Sequence, residues 1–378
     1  MGPSFPLLVA VTLAIGACGL EVPEAPERAP GPAKGNATEA LAFGDMETVA
    51  EGLEVPWDLA FLPDDTVLVT ERPGRVRAIR GGELLPDPVA QVDVLAEGEG
   101  GLMGIAAHPN FGREPFVYLA YTSAAGNRIS RFAVDDGLRF GQEEVILDGI
   151  PAATFHDGGG LAFGPDGMLY VATGDAQEPS LAADRGSLAG KILRLTPDGA
   201  IPEDNPFGGS PVFSFGHRNP QGFDWDEEGR LFASEHGPTG EFGLCCLDEV
   251  NLIEAGGFYG WPYLAGTVQA SGGDPPQPPV EPIGESGPDD TWAPAGLAVH
   301  DLGDRTELYV ANLAAQELTR FVVEDGSASG PESVVDELGR VRLAAMGPDG
   351  CLYVGTSNRD GRGSPGAGDD RILRACPA

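Results

Sequence analysis

Gly164-Pro165-Asp166-Gly167-Met168-Leu169-Tyr170-Val171-Ala172 joins a tight turn to a short apolar run. Pro presets φ, the Asp side chain bonds its own backbone, and Gly accepts φ > 0. The aromatic and β-branched residues that follow suit a strand. The phrase returns at Leu62-Pro63-Asp64-Asp65-Thr66-Val67-Leu68-Val69-Thr70 and at Gly347-Pro348-Asp349-Gly350-Cys351-Leu352-Tyr353-Val354-Gly355. Looser copies are His108-Pro109-Asn110-Phe111 before Phe116-Val117-Tyr118-Leu119, Asp226-Glu227-Glu228-Gly229 before Leu231-Phe232-Ala233, and Gly303-Asp304 before Leu308-Tyr309-Val310. Six copies spaced by roughly 45 to 75 residues predict an all-β fold, a six-bladed β-propeller of four-stranded sheets.

The composition agrees. Among 378 residues, 56 Gly and 34 Pro interrupt almost any helical window, which excludes a helical fold. A hydrophobic content of 42% excludes a disordered chain. With 58 Asp+Glu against 23 Lys+Arg the formal net charge is -35, so nonspecific nucleic-acid binding is excluded by repulsion. The plain meaning of that acidity is solubility or adaptation to salt. Six blades occupy residues 41–378 and leave no room for a second domain.

Residues 1–17 contain an apolar run, Phe5 to Ala17, too short to span a bilayer and readable as a signal peptide. Ile15-Gly16-Ala17-Cys18 resembles a bacterial lipobox, which predicts a lipidated Cys18 followed by a Pro/Glu-rich spacer over residues 18–40. A plain secretory signal or a different start codon are the alternatives. The expected product is an exported periplasmic or cell-surface lipoprotein, touching the membrane only through its lipid anchor. An oxidising compartment permits disulfides. Cys351 opens one predicted strand and Cys376 closes the next, so a hairpin sets them opposite each other. Cys245 and Cys246 are adjacent and form either a vicinal disulfide or two free thiols.

Several segments carry residues that blade-building does not require. His156, in Phe155-His156-Asp157-Gly158-Gly159-Gly160, is flanked by glycines that expose it, and Asp175 is placed to orient its ring. A histidine held by a carboxylate is a general base near neutral pH; a lone loop histidine is otherwise only solvated. Arg340 and Arg342, two apart on a predicted strand, share a face and read as a carboxylate or phosphate clamp, or as partners of local acids. Glu249 with nearby carbonyls offers hard oxygen ligands for Ca2+, or is a solvated turn.

Gly216-His217-Arg218-Asn219-Pro220-Gln221-Gly222, Glu235-His236-Gly237-Pro238, Asp248-Glu249-Val250-Asn251 and Tyr259-Gly260-Trp261-Pro262 stand in this order. Together they resemble the soluble quinoprotein sugar dehydrogenases, the glucose/sorbosone dehydrogenase family, from about Val49 to Ala375. The resemblance implies a six-bladed propeller that binds pyrroloquinoline quinone (PQQ) and Ca2+ at the channel mouth and oxidises aldose sugars to lactones. It implies that His156 is the base, that Asp175 holds it, and that Arg218 and Asn219 bond the quinone oxygens. Arg340 and Arg342 would pair with PQQ carboxylates. The Gly237 and Pro238 carbonyls would hold the catalytic Ca2+, and Glu249 with the Tyr259 carbonyl would hold a structural one. Electrons would pass to an external acceptor.

The chain departs from that pattern at four places. Glu99 stands where familiar members carry Gln beside the cofactor, and its carboxylate would repel a tricarboxylate unless protonated or metal-bound. Asn312 stands near a Lys that contacts PQQ in some members. Gly160 falls where Arg often follows the histidine motif. Thr239 to Leu247 lengthen the loop before Asp248-Glu249. These departures keep two other functions open: a non-catalytic extracellular binding propeller, and a Ca2+-dependent propeller lactonase.

Overall fold

The structure is a computed structural model that describes residues 1–2 and 43–377, apart from 304 and 325. The signal-peptide, lipobox and spacer readings fall on residues outside those described, save for residues 1 and 2. The rest builds six antiparallel blade sheets, each contributing one innermost strand to the axis of the ring, and a small two-stranded sheet of Leu264–Ala265 with Val268–Gln269. In chain order these are Pro56–Phe61, Leu102–Ala107, Leu161–Phe163, Pro220–Trp225, Pro294–Asp301 and Val341–Met346. They define blades 1 to 6 of the propeller.

Each turn phrase in the sequence is the hairpin between the innermost strand of a blade and the next one out. Gly164 to Met168, for example, link Phe163 to its partner Leu169. The ring closes by a pairing no local signal announces: Glu47–Ala50 lies antiparallel to Ile372–Ala375, so blade 6 takes its outer strand from the start of the chain. Cys351 and Cys376 are joined across the adjacent strands Leu352–Thr356 and Ile372–Ala375, as the hairpin predicts. Cys245 and Cys246 are joined as a vicinal disulfide.

The six innermost strands converge until backbone meets backbone. A Cβ on Gly104 would lie 2.3 Å from the Gly159 oxygen, on Gly160 2.5 Å from the Gln221 oxygen, and on Gly222 2.2 Å from the Ala295 oxygen. On Gly296 it would lie 2.6 Å from the Ala344 nitrogen. Atoms this close cannot coexist, so four consecutive blades require glycine at this level. Gly160 is therefore no vacancy left by a lost arginine; the neighbouring blade bars any side chain there. Blades 1 and 6 put Asp58 and Arg342 at the same level instead. Five of the six strands also carry a β-bulge at this point, which breaks the alternation of faces and re-aims side chains.

Carboxylates and hydroxyls then staple blade to blade. Asp58 Oδ2 accepts the Ile105 amide at 3.1 Å and Asp224 Oδ2 accepts the Val299 amide at 2.9 Å. Burial pushes these carboxyls up to about 7 and about 6 respectively. Thr70 Oγ1 donates to the Met103 carbonyl at 2.6 Å. Between the strands lies an axial cavity of about 410 Å³, with Trp57, Gln221 and Arg342 in its lining.

Substituting Gly222→Ala should destabilise the protein by about 1–3 kcal/mol through overpacking against blade 5. Gly112→Ala, with no atom within 4 Å of the added carbon, serves as the control. Equal melting temperatures for the two variants would contradict the close approach.

Candidate functional site

His156 sits in the loop that enters blade 3, in a left-handed backbone conformation with φ 65°. That geometry is costly for a non-glycine residue and is held from outside. The residues around it are pared down to allow it: a Cβ on Gly174 would lie 2.0 Å from the His156 carbonyl oxygen. The ring is fixed by a carboxylate. His156 Nδ1 stands 2.7 Å from Asp175 Oδ1, and Asp175 Oδ2 accepts Trp261 Nε1–H at 2.8 Å. With the Nδ1 proton directed at Asp175, Nε2 carries the free lone pair.

Arg218 is tied to the same carboxylate through the backbone, since its carbonyl accepts the Asp175 amide at 2.8 Å. Its own amide donates to Glu235, which also holds the His217 ring at 2.8 Å. The guanidinium Nη1 donates to the His236 carbonyl at 3.2 Å and Nη2 to Glu241 Oε1 at 2.5 Å. Asn219 Oδ1 accepts the Gly158 amide at 3.0 Å, while its Nδ2 donates to Glu99 Oε2 at 3.3 Å. Glu99 Oε2 also accepts the His156 amide at 3.0 Å. Six predicted residues thus meet at one mouth of the axis: His156, Asp175, Arg218, Asn219, Glu99 and, through its charge, Arg342.

Electrostatics sort them further. Burial raises the Glu99 pKa, but His236, the His156 amide, His156 itself and Arg342 outweigh it and hold the carboxyl below its usual range. Protonation is therefore a poor way for this site to tolerate an anion beside Glu99. Burial pushes the Arg342 guanidinium down to about 10; Nη1 donates to Gln221 Oε1 at 2.7 Å, and the group lies 5.3 Å from the Trp57 ring centroid. Burial likewise pushes the His236 ring down to about 4, against the opposing charges of Glu99 and Asp248. Three buried nitrogens at this mouth, Arg218 Nε, Arg342 Nε and His236 Nε2, have no partner among the described residues. Buried polar groups are almost always bonded, so a cluster of such orphans calls for an acceptor from outside.

Arg340 takes the second of its two readings, and Asn312 is bonded within its own blade. Arg340 precedes the strand Val341–Met346, and the bulge after Val341 removes the shared face with Arg342. Its Nε donates to Asp360 Oδ2 at 2.8 Å and Nη1 to the Leu313 carbonyl at 2.9 Å, so a local acid neutralises it. Asn312 turns into its own blade, where Nδ2 donates to the Val310 carbonyl at 3.1 Å and to Thr319 Oγ1 at 3.0 Å.

The oxygen-rich positions lie one layer behind. The Gly237 amide donates to Asp248 Oδ1 at 2.8 Å, and the Pro238 carbonyl accepts the Cys246 amide at 2.8 Å, leaving it one lone pair. Glu249 faces Glu235 on the neighbouring strand, and burial followed by Glu235 pushes its carboxyl up to about 8. Asn251 Nδ2 donates to Glu249 at 2.9 Å, and Asn251 Oδ1 is buried without a donor. Tyr259 stacks on His217 with centroids 4.5 Å apart.

Sequence reading missed Trp57, Glu241 and Arg362. Arg362 Nη1 stands 3.7 Å from Glu99 Oε1 and lies over the Phe155 ring. Glu241 reaches Arg218, and its Oε1 stands 3.7 Å from His156 Nε2. Only the lengthened Thr239–Leu247 loop hinted at it.

The described residues form a six-sheet propeller with a carboxylate-held imidazole among buried guanidiniums at one mouth. The description Glucose / Sorbosone dehydrogenase matches residues 53–373, and the chain belongs to that family. It is 31% identical over 348 residues to the aldose sugar dehydrogenase of Escherichia coli strain K12, covering 85% of this chain and 92% of that protein. To the quinoprotein glucose dehydrogenase B of Acinetobacter calcoaceticus it is 33% identical, over 60% of this chain and 54% of the relative. The solved PQQ-bound form of the aldose sugar dehydrogenase from Streptomyces coelicolor superposes with TM-score 0.78 at 39% identity, covering 89% of this chain and 99% of that one.

The orphaned donors make a ligand-level prediction. A tricarboxylate such as citrate, added to the metal-free protein, should raise the melting temperature by binding the folded state alone. Arg342→Gln should remove most of that rise, and an undiminished rise in the variant would separate the orphan cluster from anion binding.

Proposed function

We propose that this protein is a PQQ- and Ca2+-dependent aldose dehydrogenase that oxidises the anomeric carbon of a sugar to a lactone. One observation carries the reading: a carboxylate-held imidazole shares a mouth with two buried guanidiniums whose Nε–H groups find no acceptor among the described residues. An anionic quinone matches those donors in charge and in hydrogen-bonding sense. His156 Nε2 takes the proton of the anomeric hydroxyl as hydride leaves C1, and Asp175 stabilises the imidazolium that forms. Arg218 Nε and Arg342 Nε would hold PQQ, with Asn219 at its edge. Bound PQQ would supply the two-electron acceptor for that hydride. Donors fixed in advance where charge develops are the kind of stabilisation that costs no reorganisation during the reaction.

For Ca2+ the donor set also fits, because Asn251 Oδ1 is a buried acceptor lacking a proton beside two facing carboxyls. Glu249 and the Tyr259 carbonyl would hold one ion, and the Gly237 and Pro238 carbonyls another that acts as Lewis acid. The same reading has the protein exported and tethered through Cys18, passing electrons to an external acceptor. The two disulfides support an oxidising compartment.

The test is reconstitution of the purified chain with PQQ and excess Ca2+, followed by dye reduction with a panel of aldoses. Bound-quinone absorbance and sugar-dependent dye reduction are expected; the lack of both would overturn the proposal. His156→Ala should lower turnover by about 10²–10⁴-fold while quinone uptake persists. Ca2+ alone should raise the melting temperature, reversibly with chelator, and Glu249→Gln should shrink that increment.

A further inference from the structure

The mechanism above leaves Glu241 without a task, although its carboxylate is the acid nearest the free nitrogen of His156. Glu241 belongs to the Thr239–Leu247 loop, which folds back on itself through a Thr239–Cys245 bridge and the Cys245–Cys246 disulfide. The Cys246 amide pins it to the Pro238 carbonyl at 2.8 Å. Phe242 lies edge-on to the Trp261 ring at 5.4 Å. The carboxylate is fixed from two sides: Oε2 accepts the Thr239 amide at 2.7 Å, and Oε1 accepts Arg218 Nη2–H at 2.5 Å. Burial raises its pKa, but the Arg218 charge outweighs this and keeps it ionised. Because Arg218 Nε is still unpartnered, an acceptor can bind that guanidinium without displacing Glu241.

We propose that Glu241 is a specificity residue that reads the hydroxyl next to the reacting one. Its Oε1 lies 3.7 Å from His156 Nε2, too far for a bond between them. It is a fitting span for two parallel hydrogen bonds from neighbouring hydroxyls, each about 2.7–2.8 Å long. The anomeric hydroxyl donates to Nε2, and the hydroxyl on the adjacent carbon donates to Glu241. A carboxylate accepts and never donates, so the subsite favours sugars with a hydroxyl or an ammonium at C2. It disfavours those with hydrogen there, whose binding leaves the buried charge one bond short. This inference rests on the proposed sugar-oxidising function.

The experiment compares glucose with 2-deoxyglucose. In the reconstituted wild-type protein kcat/KM should favour glucose by roughly ten- to a hundredfold, the range of a hydrogen bond to a charged group. Glu241→Ala should bring the ratio toward unity by losing activity on glucose, while Glu241→Gln, which keeps an acceptor, retains part of it. PQQ affinity, read from quenching of tryptophan fluorescence, should not fall in either variant, because Glu241 bonds Arg218 and its loss frees that charge for an anionic ligand. Discrimination that survives in Glu241→Ala, or equal loss on both sugars, overturns the assignment. Should the wild-type protein reduce no dye with any aldose, the dehydrogenase reading fails, and sugar binding to the apoprotein decides Glu241 alone. In that fluorescence titration glucose must bind the wild type more tightly than 2-deoxyglucose, and Glu241→Ala must erase the difference.

Discussion

Six β-sheets cannot share one axis unless their inner strands shed their side chains where they meet. In this molecule Gly104, Gly160, Gly222 and Gly296 meet that constraint, each facing a neighbouring backbone atom where a Cβ would have to sit. The two blades that keep a side chain at that level contribute Asp58 and Arg342. The packing rule and the functional site therefore share a boundary. Just where the strands run out of room, one of them delivers a buried guanidinium to the channel mouth.

The mouth is polarised by what it lacks as much as by what it holds. Most arginines of this strongly acidic chain find carboxylates, as Arg194 does with Asp166 and Asp204. Arg342 finds only the Gln221 amide and the Trp57 face among the described residues. A buried cation that bonds no carboxylate directly is held at a cost in folding free energy, even with the Glu99 and Asp360 charges near it. Arg218 differs: it is already shared with Glu241, while its Nε finds no acceptor among the described residues. The His217–Glu235 pair behind it fixes its backbone, so the charge is aimed rather than floating.

Much of the site was legible in advance because its residues lie in short phrases that blade-building does not require. His156 was picked out by the glycines around it and Asp175 as the carboxylate to orient its ring, and the structure sets them 2.7 Å apart. Arg340 and Arg342 were read by strand alternation, which a β-bulge defeats. Asn312 was placed by position in the chain, yet its amide finds Thr319 and the Val310 carbonyl before it can reach the mouth. Glu241 was hidden among 58 acidic residues, and nothing local marks the one that a folded-back loop will lower onto Arg218.

The number of blades, the turns between their inner strands and the Cys351–Cys376 bridge were determined by the sequence itself, since each depends on residues close in the chain or on a repeat. Tertiary structure decided the rest. Pairing Glu47–Ala50 with Ile372–Ala375, barring a side chain at Gly160, orphaning Arg218 Nε and seating Glu241 beside His156 all join parts of the chain far apart in sequence. Such contacts are set by which backbones collide and which buried charges are left unpaired once the ring closes, and neither quantity exists until it does.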